Sequence, residues 1–305
     1  MRVRLLYVGG VPRSGSTVAD LMLGQLPGHV GVGELYYLWS DGPQHNVRCA
    51  CGEPFAACPF WREVGERAYG GWPESLVTEM LALQRRVDRT ARIPALLTAR
   101  SGSPFGRDAR RYSDRLAALY RAIAETAGAS VVVDSSKRPS LAFALRRNPD
   151  VDLAVAHVVR DPRGVAYSWG KKVPDGATHR GDMPRWSVGT VSRRWVTVNA
   201  ATAALRRFGV RTARVRYEDL IRDPATHLAR VAALHGTPAA PADLDFLADG
   251  GIRPAATHTI AGSRIRHSTG VLPLRLDEEW RTKLPSRQRR VVTLATAVSR
   301  WRYGY

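Results

Sequence analysis

The sequence predicts an α/β fold with a doubly wound, mainly parallel central sheet flanked by helices, and three observations carry this. An apolar run, a glycine-rich turn and a helical pattern follow one another within residues 3–26. Two further apolar runs, "SVVVD" at 130–134 and "VDLAVAHVVR" at 151–160, are separated and followed by helical patterns. A last strand-like piece, "RTARVR", precedes more helix. Strands that alternate with helices pair in parallel through crossovers, which places helices on both faces of one sheet.

Residues 3–8 read as a buried strand, and residues 17–26 as a helix because Val18, Leu21, Met22 and Gln25 recur at helical spacing. "HVGVGE" supplies a second strand. Residues from about 40 to 128 then hold a cysteine segment, "CACGEPFAAC", and Arg-rich helical patterns at 74–90 and 110–127, an insertion or lid within a single domain spanning 1–305. The alternation resumes with the two runs named above. From Trp186, the positions Val191, Trp195, Val198, Leu205 and Phe208 predict a long amphipathic helix, and residues 286–300 predict a terminal one.

With 44% hydrophobic and 24% charged residues among 305, the chain has enough apolar material for a sizeable core. Its 46 Lys+Arg against 27 Asp+Glu give +19, a field that suits nucleic acid, an acidic membrane or a small ligand with several phosphates, or else an Arg-rich solvated surface. Arginine pairs such as Arg85-Arg86 and Arg193-Arg194 are scattered, so there is no basic tail. With no zinc-finger or RNA-recognition motif beside it, nucleic-acid binding rests on charge alone.

No run approaches 18 apolar residues, and the N-terminus enters a strand without a signal-like apolar region, so the expectation is a soluble cytoplasmic protein without stable membrane insertion. The three cysteines lie too close together for a secreted disulfide framework. Zinc bound by His45, Cys49, Cys51 and Cys58, a disulfide, and reduced packing cysteines all stay open. The C-x-C-x₆-C spacing is not a familiar four-ligand pattern, and the expected site carries no metal.

"VGGVPRSGST" at 8–17 lies between strand and helix, where unpartnered helical N–H groups and the helix dipole favour phosphate. From Gly10 the pattern G-x-x-x-x-G is complete, but Ser16 stands where a nucleotide-hydrolysing loop has its lysine, and Arg13 stands inside the turn. Losing that lysine argues against an atypical P-loop kinase using ATP and Mg²⁺, which remains the alternative enzyme. Transfer of a less charged group, with one cation at the leaving oxygen, remains feasible without a metal.

"PRSGST" resembles the 5′-phosphosulfate loop of sulfotransferases that use 3′-phosphoadenosine 5′-phosphosulfate (PAPS). "VVRDPRGVAYSW" resembles that family's 3′-phosphate motif, a strand ending in Arg160 with Ser168 eight residues later at the next helix start. "VRYEDL" resembles the segment that places Tyr217 beside the adenine. "HTIAGSRIRHSTG" is similar to the C-terminal loop of bacterial members, although Ser263 and Arg264 replace the usual Asn-Pro. The resemblance implies a P-loop-like fold and a nucleotide held by Arg13, Ser14, Gly15, Ser16, Thr17, Arg160, Ser168 and Tyr217, with Arg264 or Arg266 at the 3′-phosphate. Two arginine-bearing strand ends suit a ligand with anions at both ends.

Sulfuryl transfer to an alcohol or phenol needs a base for the acceptor proton. The resemblance implies Glu34, 21 residues beyond Arg13, in that role, with His157 as the alternative seen in the cytosolic branch. Lys137 in "VVDSSK" follows a strand end, where its ammonium suits the sulfuryl or bridging oxygens, or else a helix-start surface. Asp134 and Ser135 read as capping or orienting groups. Tyr36, Tyr37, Trp39, Phe60 and Trp61 line an acceptor pocket or pack in the core. The expected product is adenosine 3′,5′-bisphosphate (PAP) with a sulfated small-molecule hydroxyl; homodimerisation stays open.

Overall fold

The computed structural model describes residues 2–171, 184–237, 239–248, 250–261 and 270–305. Strand β1 (Val3–Gly9) lies at the centre of the sheet. It pairs in parallel with β3 (Val131–Asp134) on one side, Leu5 opposite Val132, and with β4 (Val151–Val159) on the other, Leu5 opposite Leu153. Strand β2 (His29–Gly31) flanks β3 and β5 (Arg211–Arg216) flanks β4, giving the order β2-β3-β1-β4-β5, all parallel.

Side chains alternate across this sheet with period two. Leu5 and Tyr7 point with Val132, Leu153 and Val155 into one apolar cluster, while Leu6 and Val8 point with Val131, Val133, Ala154 and Val158 into a second. Burial on both faces explains why these strands read as continuous apolar runs.

The first face is covered by α2 (Pro59–Tyr69), α3 (Glu74–Val87), α5 (Pro104–Ala127) and α6 (Pro139–Leu145). The segment expected as an insertion or lid therefore forms one of the helical layers. Its Tyr120, fully buried on α5, donates to Asp134 Oδ2 at the end of β3 over 2.7 Å. Between α3 and α5 runs the short α4 (Ile93–Thr98). The opposite face carries α1 (Ser16–Leu23) and, near the C-terminus of the sheet, α10 (Pro224–Ala232), with Met22, Leu23, Leu228 and Val231 in the core. The short α9 (Tyr217–Arg222) leads from β5 into α10.

A third cluster, Val11, Val159, Val165, Trp169, Trp195, Val292 and Tyr303, joins α7 (Pro162–Gly170), α8 (Val188–Ala204) and the C-terminal helices at the edge where the strands end. The helix predicted from Trp186 begins at Val188, capped by the Ser187 hydroxyl, which accepts from the Thr190 N–H. After a one-turn α11 (Trp280–Lys283), the predicted terminal helix is broken into α12 (Ser286–Ala295) and α13 (Ala297–Arg302). Thr296 leaves helical geometry at φ −115° and bonds its hydroxyl to the Val292 carbonyl at 2.7 Å, a side-chain interaction that competes with helix continuation. Among the described residues no helix is long and apolar enough to cross a membrane.

Gly10 joins the turn to β4. Its φ is +141°, and a Cβ there would lie 2.2 Å from the Val158 carbonyl oxygen. Gly10→Ala should therefore cost on the order of 2–4 kcal/mol in urea unfolding, from strain and backbone displacement together. An unchanged midpoint would mean that the turn is not pinned to β4.

Candidate active site

Because the strands run in one direction, their C-terminal ends open on one edge, the place where open parallel sheets bind ligands. Across that edge in spatial order stand Glu34 after β2, Lys137 after β3, Arg13 after β1, Arg160 after β4 and Tyr217 after β5. Residues as far apart in sequence as Arg13 and Tyr217 become one row of chemistry.

The turn after β1 is built to present N–H groups. Gly15, the residue before α1, has φ +85° and no side chain caps the helix start, so the first helical N–H groups face the turn. Arg13 itself has φ +76°, uncommon for a residue with a Cβ. The carbonyls on the outside are tied back, Pro12 O to Trp169 Nε1 at 3.2 Å and Arg13 O to the Arg160 guanidinium at 3.2 Å. The Arg13 guanidinium lies over the Trp169 ring at 5.3 Å. Ser14 is fully buried, and its Oγ has no hydrogen-bond partner among the described residues. A buried hydroxyl without a partner is costly unless a ligand or water completes it. Ser16 is also buried and Thr17 half-buried, both in the first turn of α1.

On the β2–β3 side, Lys137 Nζ meets Glu34 Oε1 at 2.7 Å, with both side chains largely shielded. Lys137 also has a left-handed backbone, φ +59°. Asp134 orients this corner: its Oδ1 accepts from the Ser136 N–H at 2.8 Å and its Oδ2 from Tyr120. Burial pushes the Asp134 carboxyl up to about 6 despite those donors. Asp20 on α1 completes the corner and was not among the residues singled out in the sequence. Burial raises its carboxyl to about 7, opposed by the Lys137 ammonium and reinforced by the nearby Asp134 and Glu34 charges. The available signal was an acidic residue four positions after Ser16, within an otherwise apolar helical run.

On the β4–β5 side, Arg160 is buried and reaches Arg13 O, the Asp277 carbonyl at 2.9 Å and the Asp277 carboxylate at 3.1 Å. Its guanidinium lies 4.6 Å over the Tyr217 ring. Tyr217 in turn packs so closely on the turn that a Cβ on Gly15 would lie 2.3 Å from the ring. Ser168 needs correction. Asp161 caps α7 and Pro162 begins it, so Ser168 falls in the last turns of that helix, half-buried, and not at its start. Arg264 and Arg266 lie outside the described residues.

Two open readings resolve on the side of the core. His157 is sealed inside the sheet, its Nε2 paired with Asn199 Oδ1 at 3.0 Å, and burial lowers its imidazole to about 4. It is a core residue, so it cannot serve as the alternative base. Trp39, Phe60 and Trp61 are core residues as well: Phe55 stacks on Trp61 at 5.8 Å, and Trp61 Nε1 donates to His258 O at 2.7 Å. Tyr36 and Tyr37 alone of the five aromatic candidates stay half-exposed, edge to face at 4.9 Å. The cysteines are free thiols gathered with His258, while His45 turns its Nδ1 to the Ser40 carbonyl.

A row of buried or half-buried cations beside an N–H-lined turn can hold an anionic nucleotide at two points and stabilise a departing negative charge. The family model described as the sulfotransferase family matches residues 6–241. Among solved structures, the sulfotransferase domain from the Synechococcus PCC 7002 olefin synthase shares 19% identity and a TM-score of 0.51, covering 97% of this chain and 94% of that one. The sulfotransferase domain from the curacin biosynthetic pathway gives 15% and 0.49 over 97% and 98% of the two chains. A Mycobacterium avium sulfotransferase gives 14% and 0.48 over 98% and 76%. No curated protein matches the sequence. Of these, the olefin synthase domain bears on the fold, and on the fold alone; the family match spans most of the length and includes the turn, Glu34, Lys137, Arg160 and Tyr217. The chain belongs to the sulfotransferase family.

Proposed function

We propose that this chain is a cytoplasmic, single-domain enzyme that transfers the sulfuryl group of PAPS to a hydroxyl of a small-molecule acceptor, releasing PAP. The observation that carries the reading is the buried Ser14 hydroxyl without a protein partner, set in an uncapped, N–H-lined turn beside Arg13 and bonded through Arg13 O to Arg160. That constellation fits a ligand with phosphate groups. The Ser14, Gly15, Ser16 and Thr17 turn would hold the 5′-phosphosulfate, Arg160 the 3′-phosphate, and Tyr217 would border the base.

PAPS supplies a sulfuryl group on a phosphate that leaves as an anion. Arg13 offsets the charge that develops on that phosphate. Glu34, held by Lys137 through one oxygen, takes the proton of the acceptor hydroxyl through its carboxylate. Lys137 fixes the direction of that carboxylate and offers its remaining N–H groups to sulfuryl oxygens. Tyr36 and Tyr37 border the acceptor side, which suits hydroxyls on aromatic or other apolar bodies. No metal is needed for these roles.

Melting shifts with PAP, with ATP–Mg²⁺ and with oligonucleotides separate this reading from its rivals. PAP alone should stabilise the chain, and stabilisation only by ATP–Mg²⁺ or by oligonucleotides would overturn it. Labelled PAPS against a panel of hydroxyl acceptors then reads the activity. Arg13→Ala should lower kcat by about 10²–10³ with the fold intact. Glu34→Gln should retain PAP binding and slow turnover by about 10²–10⁴; unchanged turnover would place the base elsewhere.

The raised Asp20 carboxyl makes a separate pH prediction. Because its folded pKa lies above the unfolded value, the native state binds more protons between about pH 4 and pH 7, and stability falls as pH rises through that window. Asp134 acts in the same direction. Asp20→Asn should flatten part of the fall, with a gain at pH 8 relative to pH 4 on the order of a few kcal/mol in urea titrations. An identical pH slope in both proteins would show that the Asp20 carboxyl titrates alike in the folded and unfolded chains.

A further inference from the structure

Cys49, Cys51 and Cys58 take no part in the chemistry above, yet the fold brings His258 to them across 200 positions of chain counted from Cys58. Cys58 Sγ lies 3.3 Å from His258 Nδ1, 3.7 Å from Cys49 Sγ and 3.6 Å from Cys51 Sγ, and Cys49 Sγ lies 3.8 Å from the same Nδ1. All four ligand atoms fall within 4.8 Å of one another. Around a tetrahedral zinc ion with Zn–S of about 2.3 Å and Zn–N of about 2.0 Å, sulfur–sulfur separations come to about 3.8 Å and sulfur–nitrogen to about 3.5 Å. Four measured edges of the tetrahedron match those lengths. They are too long for an S–S bond of about 2.05 Å, and an odd number of thiols cannot all pair.

We propose that Cys49, Cys51, Cys58 and His258 form a structural zinc site. Three thiolates and one imidazole are the soft donor set of closed four-coordinate zinc sites. Binding Zn²⁺ displaces the thiol protons to solvent, and the Cys₃His set then carries a net charge of −1. The surroundings support those ligands. Cys58 stands immediately before α2, so the start of that helix fixes where its Sγ lies. The His258 ring is stacked on Phe60 at 4.7 Å with 5° between planes, which fixes the direction of Nδ1. Cys51 is exposed and gives an ion its entry path, while Cys49 and Cys58 are buried.

The position gives the ion a structural task. The chain after His258 is bonded back to the cysteine segment through Ala50 N–H to Thr259 O at 3.0 Å, and to the candidate base through Glu34 N–H to Ala261 O at 3.4 Å. Zinc would fasten two segments far apart in sequence immediately beside Glu34. The metal site stands independently of the proposed sulfuryl transfer, since its readout is metal content.

Full-length protein, produced with zinc in the medium and freed of any histidine tag, should contain about one zinc per chain by plasma mass spectrometry. Cobalt exchange should add the near-ultraviolet thiolate band and the intense visible bands of a tetrahedral sulfur-rich site. Cys51→Ser and His258→Asn should each weaken zinc retention against a chelator at least about tenfold, whereas His45→Ala should not. Less than about a tenth of an equivalent in the unaltered chain, an octahedral cobalt spectrum, or a Cys51–Cys58 disulfide by mass spectrometry would overturn the proposal. So would metal lost in His45→Ala but kept in His258→Asn. Measurements on the unaltered chain decide the matter even where a variant fails to fold.

Discussion

The parallel pairing of β1 between β3 and β4 is the constraint on which the site depends. Side chains alternate with period two, so a slip of one residue would turn Leu5 and Tyr7 out of one core and into the other, and a register held by two buried faces resists such a slip. With register fixed, the positions at which β1, β3 and β4 stop are fixed too. Arg13, Lys137 and Arg160 are then neighbours because their strands are neighbours. Tyr7 adds a direct tie: its hydroxyl, fully buried, accepts from the Arg138 N–H at 2.6 Å and donates to the Arg138 carbonyl at 3.0 Å. The residue after Lys137 is thereby fastened to the strand that leads to Arg13.

That tie explains how the site tolerates an unfavourable backbone. Of the described residues other than glycine, Arg13, Asn46 and Lys137 have positive φ, so two of the three are cations of the candidate site. Such conformations cost on the order of 1 kcal/mol or more and persist when surroundings over-determine them. At Lys137 the surroundings are the Tyr7–Arg138 pair and the Glu34 carboxylate. At Arg13 they are Arg160 on its carbonyl and the Trp169 ring, itself stacked at 3.6 Å on Trp186. The strain places both cationic groups on the strand-end edge, where a regular turn would direct them otherwise.

The legible part of the sequence was the part written locally. The turn, its arginine and the strand-to-helix order around Arg160 and Tyr217 lie within short windows in which apolar periodicity and glycine spacing speak directly. The order of the strands was not written there, so the adjacency of Lys137 and Glu34 required the fold. Ser168 was misplaced because the helix start depends on Asp161 capping and Pro162 at the first position, a signal present in "RDPRG" and outweighed by the resemblance. The aromatic candidates stayed open for a general reason: Trp39 and Trp61 look alike in sequence whether they line a pocket or fill a core, and only packing against α2 and its neighbours decides. His258 lies remote from the cysteines along the chain, and nothing local marks it as their partner.

The net charge of +19 is a poor guide to where the chemistry lies; burial is a better one. Among the described residues, Lys137 and Arg160 are the only lysine and arginine that are buried. Exposed pairs such as Arg67 with Glu63 and Arg86 with Asp108 contribute at most about 1 kcal/mol each. A buried cation without a partner costs several kcal/mol, so each of the two has a carboxylate, Glu34 at 2.7 Å and Asp277 at 3.1 Å. These carboxylates compete with any anion that approaches the same cations. On the proposed reading, the 3′-phosphate must share Arg160 with Asp277 or displace it. The phosphosulfate must likewise draw the Lys137 ammonium partly away from Glu34. Glu34, which on that reading takes the acceptor's proton, is thereby released in part from its ion pair. Until a donor arrives, Lys137 holds that carboxylate in place at 2.7 Å, and the same ammonium is the one a sulfuryl oxygen would meet.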